Sequence, residues 1–314
     1  MCRISSGNGR GFKVRERLIR KVPDEMDGSR LDRLLRRVFP DLPAKSIRFA
    51  IEGGDVAVGG KAEAKGRILR AGEVVSVRRI ADRDDWLPVA GDLPGAAILH
   101  EDGGAAVLLK PANVHTEPQR PLEGGTLAGY LRWKHPEVME ISREPGLTLL
   151  TRLDYATSGA VPAALSGEAF EFLRREREKG RIVKTYICLV SGRMDKEMSL
   201  SFLLDPSGGD KVRVRTDRFE EDPLYWTYVR PIRISADRTL VRAVISKGKR
   251  HQIRAHLAAA GYPIVGDRRY GTVPAEGPGK LRLMLHAGEV RFTHPSRKEP
   301  VSVSAPLPEE FGVI

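Results

Sequence analysis

Cysteine is scarce: Cys2 and Cys188 are the only two in 314 residues. One stands near the N-terminus and the other inside an apolar run, so they build neither a disulfide framework nor a zinc ligand set. That fits a reducing compartment, and a cytoplasmic location is expected. No apolar run approaches the roughly 20 residues of a membrane-spanning helix, so no membrane partner is expected. The first residues hold Ser, Gly and Arg without an apolar core, which argues against a secretory leader. Residues 1–17 are expected to be a disordered tail.

Other chemistries lack their parts. Gly103-Gly104 is not followed by the Lys-Ser/Thr of a phosphate loop. His251 and His256 stand five apart, off a common helical face, and no His-Glu-x-x-His pattern exists, so no metal site is expected. Thr157-Ser158-Gly159 is not a nucleophile elbow. Glycoside hydrolysis would need a second positioned carboxylate, and none stands out. Internal repeats and low-complexity segments are also absent.

What is present is positive charge. Lys and Arg number 53 against 41 Asp and Glu, a formal net charge of +12. Such an excess is an electrostatic footprint for a polyanion. The central stretch is Leu150-Thr151-Arg152-Leu153-Asp154-Tyr155-Ala156-Thr157-Ser158-Gly159. It holds one carboxylate on a polar turn between two apolar runs. By itself this allows two readings, an acid that caps a turn beside Arg152 or a functional group held at the edge of a core.

The front of the chain reads as two short helices. Leu31, Leu34, Leu35 and Val38 form one apolar stripe, with Ser29 as candidate N-cap and Arg30, Arg33 and Arg37 on another face. Ile47, Ala50 and Ile51 face inward on the second helix, with Lys45 and Arg48 outward. Short strands follow around the Gly59-Gly60 turn. Residues 18–80 resemble the small RNA-binding module first described in a small-subunit ribosomal protein. Arg30, Arg33, Arg37 and Arg48 are then expected to contact phosphates. Residues 81–95 lack periodicity and read as a linker, and residues 96–314 as a second domain. There a hairpin spans 96–109, Thr126 and Ser166 cap helices, Ile182–Val190 is a strand and Gln252–Ala260 a helix.

Several segments together resemble the RluA-type pseudouridine synthases. They are Leu109-Lys110-Pro111 through Pro118, Arg152-Leu153-Asp154 with Thr157-Ser158-Gly159, and Lys184-Thr185-Tyr186. His251-Gln252-Ile253-Arg254 with Gly266-Asp267 and Tyr270-Gly271, then Leu285-His286-Ala287, complete the set in the family's order. The chain departs from the pattern at Thr151, where the family usually has His, and at Tyr155, where it often has Arg.

The resemblance implies an α+β fold: a mixed, mostly antiparallel sheet with flanking helices and a central cleft, preceded by the small α/β-hairpin module. It implies isomerisation of uridine to pseudouridine in RNA, with neither cofactor nor metal. Asp154, Tyr186 and Arg254 are the implied catalytic residues. Arg152, Lys184, His251, Gln252 and Leu285 are the implied substrate contacts. The front module favours ribosomal RNA over tRNA, and a monomer is expected. A non-catalytic RNA-binding assembly factor is the rival reading, against which the retained trio weighs.

Overall fold

The computed structural model describes residues 18–271 apart from 208 and 210, and residues 282–312. The expected tail, residues 1–17, lies outside the described residues. The chain forms two compact units. One runs up to Leu87 and includes Pro118–Glu123; the other comprises Pro88–Glu117 and continues from Gly124.

The first unit holds β1 (Leu18–Lys21), α1 (Leu31–Val38), α2 (Ala44–Glu52), β2 (Val56–Val58), β3 (Lys61–Ala62) and β4 (Val74–Val77). The strands form an antiparallel sheet in the order β1-β4-β2-β3. Leu31, Leu34 and Leu35 pack with Ile47, Ile51, Val56, Val58, Val75 and Val77 in one core, as their spacing predicts. Gly59 and Gly60, at φ 56° and 81°, turn β2 into β3 by the two-residue route that glycine permits.

Two local expectations change. Ser29 is not the N-cap of α1; Arg30 is, without a side-chain cap. The cause is pairing across the module: Leu69 N donates to Ser29 O at 2.8 Å and Gly28 N to Leu69 O at 2.9 Å, so the Ser29 carbonyl is taken by Leu69 and the first helical bond runs from Leu34 N to Arg30 O. Residues 81–95, read as a linker, contain buried side chains. Trp86 is buried, and its indole donates to Ser46 Oγ at 2.8 Å within the first unit.

The second unit is built on one large sheet. Its elements are β5 (Ala97–Glu101), β6 (Ala105–Lys110), α3 (Leu127–Lys134), α4 (Val138–Ile141), β7 (Ser158–Ala164), α5 (Gly167–Glu178), β8 (Val183–Ser191) and β9 (Met198–Leu200). A two-stranded sheet of β10 (Phe202–Asp205) and β11 (Arg213–Phe219) interrupts them. Then come β12 (Thr227–Ile234), β13 (Arg238–Ile245), α6 (Gln252–Ala259), β14 (Leu285–Thr293) and β15 (Pro300–Ser304). Thr126 and Ser166 cap α3 and α5 through their hydroxyls, as expected. The large sheet runs β5-β6-β7-β14-β8-β13-β12-β9, with β15 on β14. Pairs are antiparallel except β7 with β14. The fold is therefore α+β with a mixed, mostly antiparallel sheet.

The register of this sheet places the functional region. One row crosses it as Lys110, Gly159, Ala287, Tyr186 and Ala243. Strand β14 enters between β7 and β8, so distant segments meet at that row. The approach of β14 to β7 is close. A Cβ on Gly159, at φ 124°, would lie 2.2 Å from Ala287 O and 2.5 Å from Ala287 N. The glycine of the Thr-Ser-Gly turn is thus required by the pairing itself.

Lys110 joins the loop after β6 to the loop before β7. It is fully buried, and Nζ donates to the carbonyls of Pro111 (2.9 Å), Val114 (2.7 Å) and Tyr155 (3.2 Å). Val114 N also donates to Tyr155 O at 3.1 Å. Thr116 Oγ1 donates to Leu153 O at 2.8 Å and accepts from Leu153 N at 3.1 Å. The two loops are zipped together on both sides of Asp154. Burial pushes the Lys110 ammonium down to about 7, with Asp154 opposing the shift and Arg282 adding to it.

Two consequences are measurable. Gly159→Ala should destabilise the protein by about 3 kcal/mol or more, because overpacking and a strained φ add. A thermal melt within a degree or two of wild type would contradict the close approach. For Lys110, the unfolded chain binds more protons than the folded chain from about pH 7 up to the ordinary lysine value of 10.5. Wild-type stability should therefore gain on that of Lys110→Met as pH rises through this window. Denaturant melts of both proteins at about pH 7 and about pH 9 read the gap directly, and an unchanged gap would show that Lys110 does not titrate there.

Candidate active site

Asp154 sits on the turn before β7, held from behind by the zipped loops. Its side chain keeps 26% of its surface exposed. Arg254 reaches it from α6, one hundred residues later, and Nη1 donates to Asp154 Oδ2 at 2.8 Å. The other two guanidinium nitrogens face away from Asp154. Nε donates to Asp267 Oδ2 at 2.8 Å and Nη2 to Asp267 Oδ1 at 2.9 Å. The result is a fork on one carboxylate with the remaining edge offered to a second.

Asp267 itself has no exposed side-chain surface. Its Oδ1 also accepts from the amides of Arg269 (2.9 Å) and Tyr270 (3.1 Å). Burial alone would raise this carboxyl. The bonds and charge of Arg254, with the two amides, outweigh burial and hold it below its usual value. Burial likewise works against the Arg254 charge, and the two aspartates reverse that, so its pKa lies above the usual arginine value.

Tyr186 lies on β8, in the row that includes Gly159 and Ala287. It is buried, and its hydroxyl has no hydrogen bond among the described residues. Burial raises the phenol, and the Asp154 charge raises it further, so it remains protonated at neutral pH. Leu285 is buried at the head of β14, opposite Cys188.

His251 precedes α6 with a left-handed backbone, φ 56°. Its Nδ1 is 3.0 Å from the Tyr270 hydroxyl, and its Nε2 is 3.9 Å from Asp154 Oδ2. Burial lowers its pKa; Asp154 opposes this, and Arg254, Arg269 and Arg250 reinforce it.

Two expected substrate contacts point into the protein instead. Gln252 is buried, and its amide nitrogen donates to Tyr225 O (2.8 Å), Trp226 O (3.3 Å) and Thr227 Oγ1 (3.1 Å). Its carbonyl accepts from Lys249 N at 2.9 Å, which ties the basic turn to the start of α6. Lys184 is buried, and its ammonium donates to the Ser246 carbonyl. Burial, aided by the Arg177 charge, lowers its pKa to about 8.

Arg152 remains outside, 69% exposed, with Nη1 on Glu117 Oε1 at 2.6 Å. In the first unit Arg30, Arg33, Arg37 and Arg48 are all exposed. Arg30 pairs with Asp32 and Arg37 with Glu25, while Arg33 and Arg48 have no ion pair among the described residues. The residue that sequence reasoning passed over is Asp267. It stood in the matched Gly266-Asp267 pair and read only as a turn.

Among the described residues, no group of three or more His, Cys, Asp or Glu is arranged to hold a metal ion, and no helix is long and apolar enough to cross a membrane.

Comparison with known proteins places this geometry. The family model for RNA pseudouridylate synthase matches residues 105–259, from β6 through α6. Ribosomal large subunit pseudouridine synthase C of Escherichia coli is 32% identical over 308 residues, covering 90% of this chain and 90% of that protein. Ribosomal large subunit pseudouridine synthase D of Xanthomonas campestris is 28% identical over 301 residues, covering 92% and 89%. Among solved structures, human RNA pseudouridylate synthase domain containing 1 superposes with a TM-score of 0.54 at 25% identity, over 69% of this chain and 85% of that one. With the order of the matched segments and the fold already described, these likenesses identify the chain as a member of the RluA-type RNA pseudouridine synthase family.

Proposed function

We propose that this protein converts specific uridines of large-subunit ribosomal RNA into pseudouridine, with Asp154 as the reacting carboxylate. The observation that carries the reading is the arrangement of Arg254, gripped by Asp267 and turned toward Asp154. In the reaction the bond from uracil N1 to ribose C1′ breaks, the base rotates, and C5 bonds to C1′. One proton leaves C5 and one is gained at N1. Substrate and product are isomers, so the chemistry calls for no redox partner and no donated group.

Each residue then has a definite task. Arg254 aims the Asp154 carboxylate through its 2.8 Å bond and sets a fixed positive charge beside it. Tyr186 packs beside the base, and its protonated hydroxyl serves as a hydrogen-bond donor rather than a base. Leu285 lies at the head of the neighbouring strand, where it supplies an apolar contact to the uracil. The target base must leave its stack, which costs a few kcal/mol. Arg152, 69% exposed and paired with Glu117, supports the rearranged RNA by exchanging that partner for a phosphate.

Ribosomal RNA is favoured over tRNA by the relatives named for the ribosomal large subunit and by the exposed arginines of the first unit. We place the protein in the cytoplasm as a monomer of two modules, with residues 18–80 gripping RNA and residues 96–314 performing the chemistry.

Pseudouridine mapping in a strain lacking this protein should show loss at one or a few positions of large-subunit ribosomal RNA, with tRNA intact. Wild type should restore them and Asp154→Asn should not, although its RNA affinity should stay within a few-fold. Arg254→Lys keeps the charge and loses the fork. Its single-turnover rate should fall about 100-fold, equivalent to about 2.7 kcal/mol. Turnover by purified Asp154→Asn would overturn the catalytic assignment, and a loss confined to tRNA would overturn the substrate.

A further inference from the structure

Tyr155 follows Asp154 directly, yet its large side chain is 51% exposed. Its backbone is not loose. The Tyr155 carbonyl accepts from Lys110 Nζ at 3.2 Å and from Val114 N at 3.1 Å, in the zipped pair of loops. The ring therefore projects from a fixed base. It packs against the His115 ring, with centroids 4.8 Å apart and planes tilted by 57°. His115 belongs to the partner loop of the zipper, so both rings are anchored by the same bonds. Other exposed large apolar side chains of this unit, such as Trp133, Phe219, Tyr228 and Ile232, lie on α3, β11 and β12. Tyr155 is the one adjoining Asp154 in the chain.

The position separates its task from that of Tyr186. Tyr186 is buried in the sheet row that holds Gly159 and Ala287, and on the proposed function it meets the base drawn in toward Asp154. Tyr155 keeps half of its surface exposed, so its ring is open to a base outside the sheet. Extruding one nucleotide unstacks the bases on either side of it. An aromatic face at the edge of the site recovers that stacking without reading base identity.

We propose that Tyr155, backed by His115, is a stacking platform for the nucleotide next to the target uridine. The inference rests on Asp154 being the reacting group. It predicts that the platform affects how tightly RNA is held rather than how the bond is broken. The phenol hydroxyl is dispensable on this account, because stacking uses the ring.

The test measures affinity in the inactive Asp154→Asn protein, so that the RNA is not consumed. The probe is a synthetic stem-loop with one uridine in its loop. A second probe has abasic ribose at both nucleotides flanking that uridine. Adding Tyr155→Ala should weaken binding of the first probe by about 5- to 150-fold, the range for one base stacked on an aromatic ring. Adding Tyr155→Phe should change it by less than about twofold. The abasic probe should bind equally with Tyr155 present or replaced by alanine. Unchanged affinity of Tyr155→Ala for the first probe would overturn the proposal. So would an equal loss for both probes, since that would place the effect in the protein rather than in the stacked base. Turnover by the Asp154→Asn parent is a separate outcome that would overturn the active-site reading.

Discussion

A guanidinium out of water is tolerated only when its donors are filled, and Arg254 meets that condition with two carboxylates. Nε and Nη2 go to Asp267, which has no exposed surface, and Nη1 goes to Asp154, which keeps a quarter of its own. The asymmetry fixes geometry. A fully buried fork fixes the plane of the guanidinium, because displacing it would strand a charge at a cost of about 3–5 kcal/mol. The free edge then has one direction in which to act. Asp154 keeps exposed surface while its orientation is set by a pair withdrawn from solvent.

The sheet makes that arrangement possible. Strand β14 inserts between β7 and β8, which brings Gly159, Ala287 and Tyr186 into one row. Had Gly159 carried a side chain, β14 could not approach, and the turn bearing Asp154 would lose its neighbour. Lys110 completes the support from the other side, where its buried ammonium holds three carbonyls of the two loops. Its carbonyl contacts are a reason for a lysine at a buried position where a leucine would otherwise pack.

Much of the fold was legible because local chemistry and final packing agree. The Gly59-Gly60 turn, the Thr126 and Ser166 caps and the apolar stripe of α1 are all local statements that tertiary structure leaves intact. Ser29 is the counterexample: its own preference for capping lost to backbone bonds with Leu69, forty residues away. Strand β1 was missed for a related reason. It is four residues long, Ile19 points outward, and its identity as a strand comes from pairing with β4. The site followed the same rule. Asp154 and Arg254 are one hundred residues apart, so only resemblance to a family joined them in advance. Gln252 and Lys184 were expected to face RNA, but spacing does not reveal that Tyr225, Thr227 and Ser246 would occupy their polar atoms. Asp267 looked like a turn acid until its burial and its four incoming bonds were seen.

The central claim is that Asp267 acts through Arg254, by holding its free edge toward Asp154. The most direct measurement is the single-turnover rate of Asp267→Asn at saturating RNA, in protein whose circular dichroism and melt show it to be folded. The account predicts a rate at least tenfold below wild type, about 1.4 kcal/mol in the barrier, with RNA affinity unchanged and partial recovery in Asp267→Glu. A folded Asp267→Asn protein that turns over at the wild-type rate would contradict it.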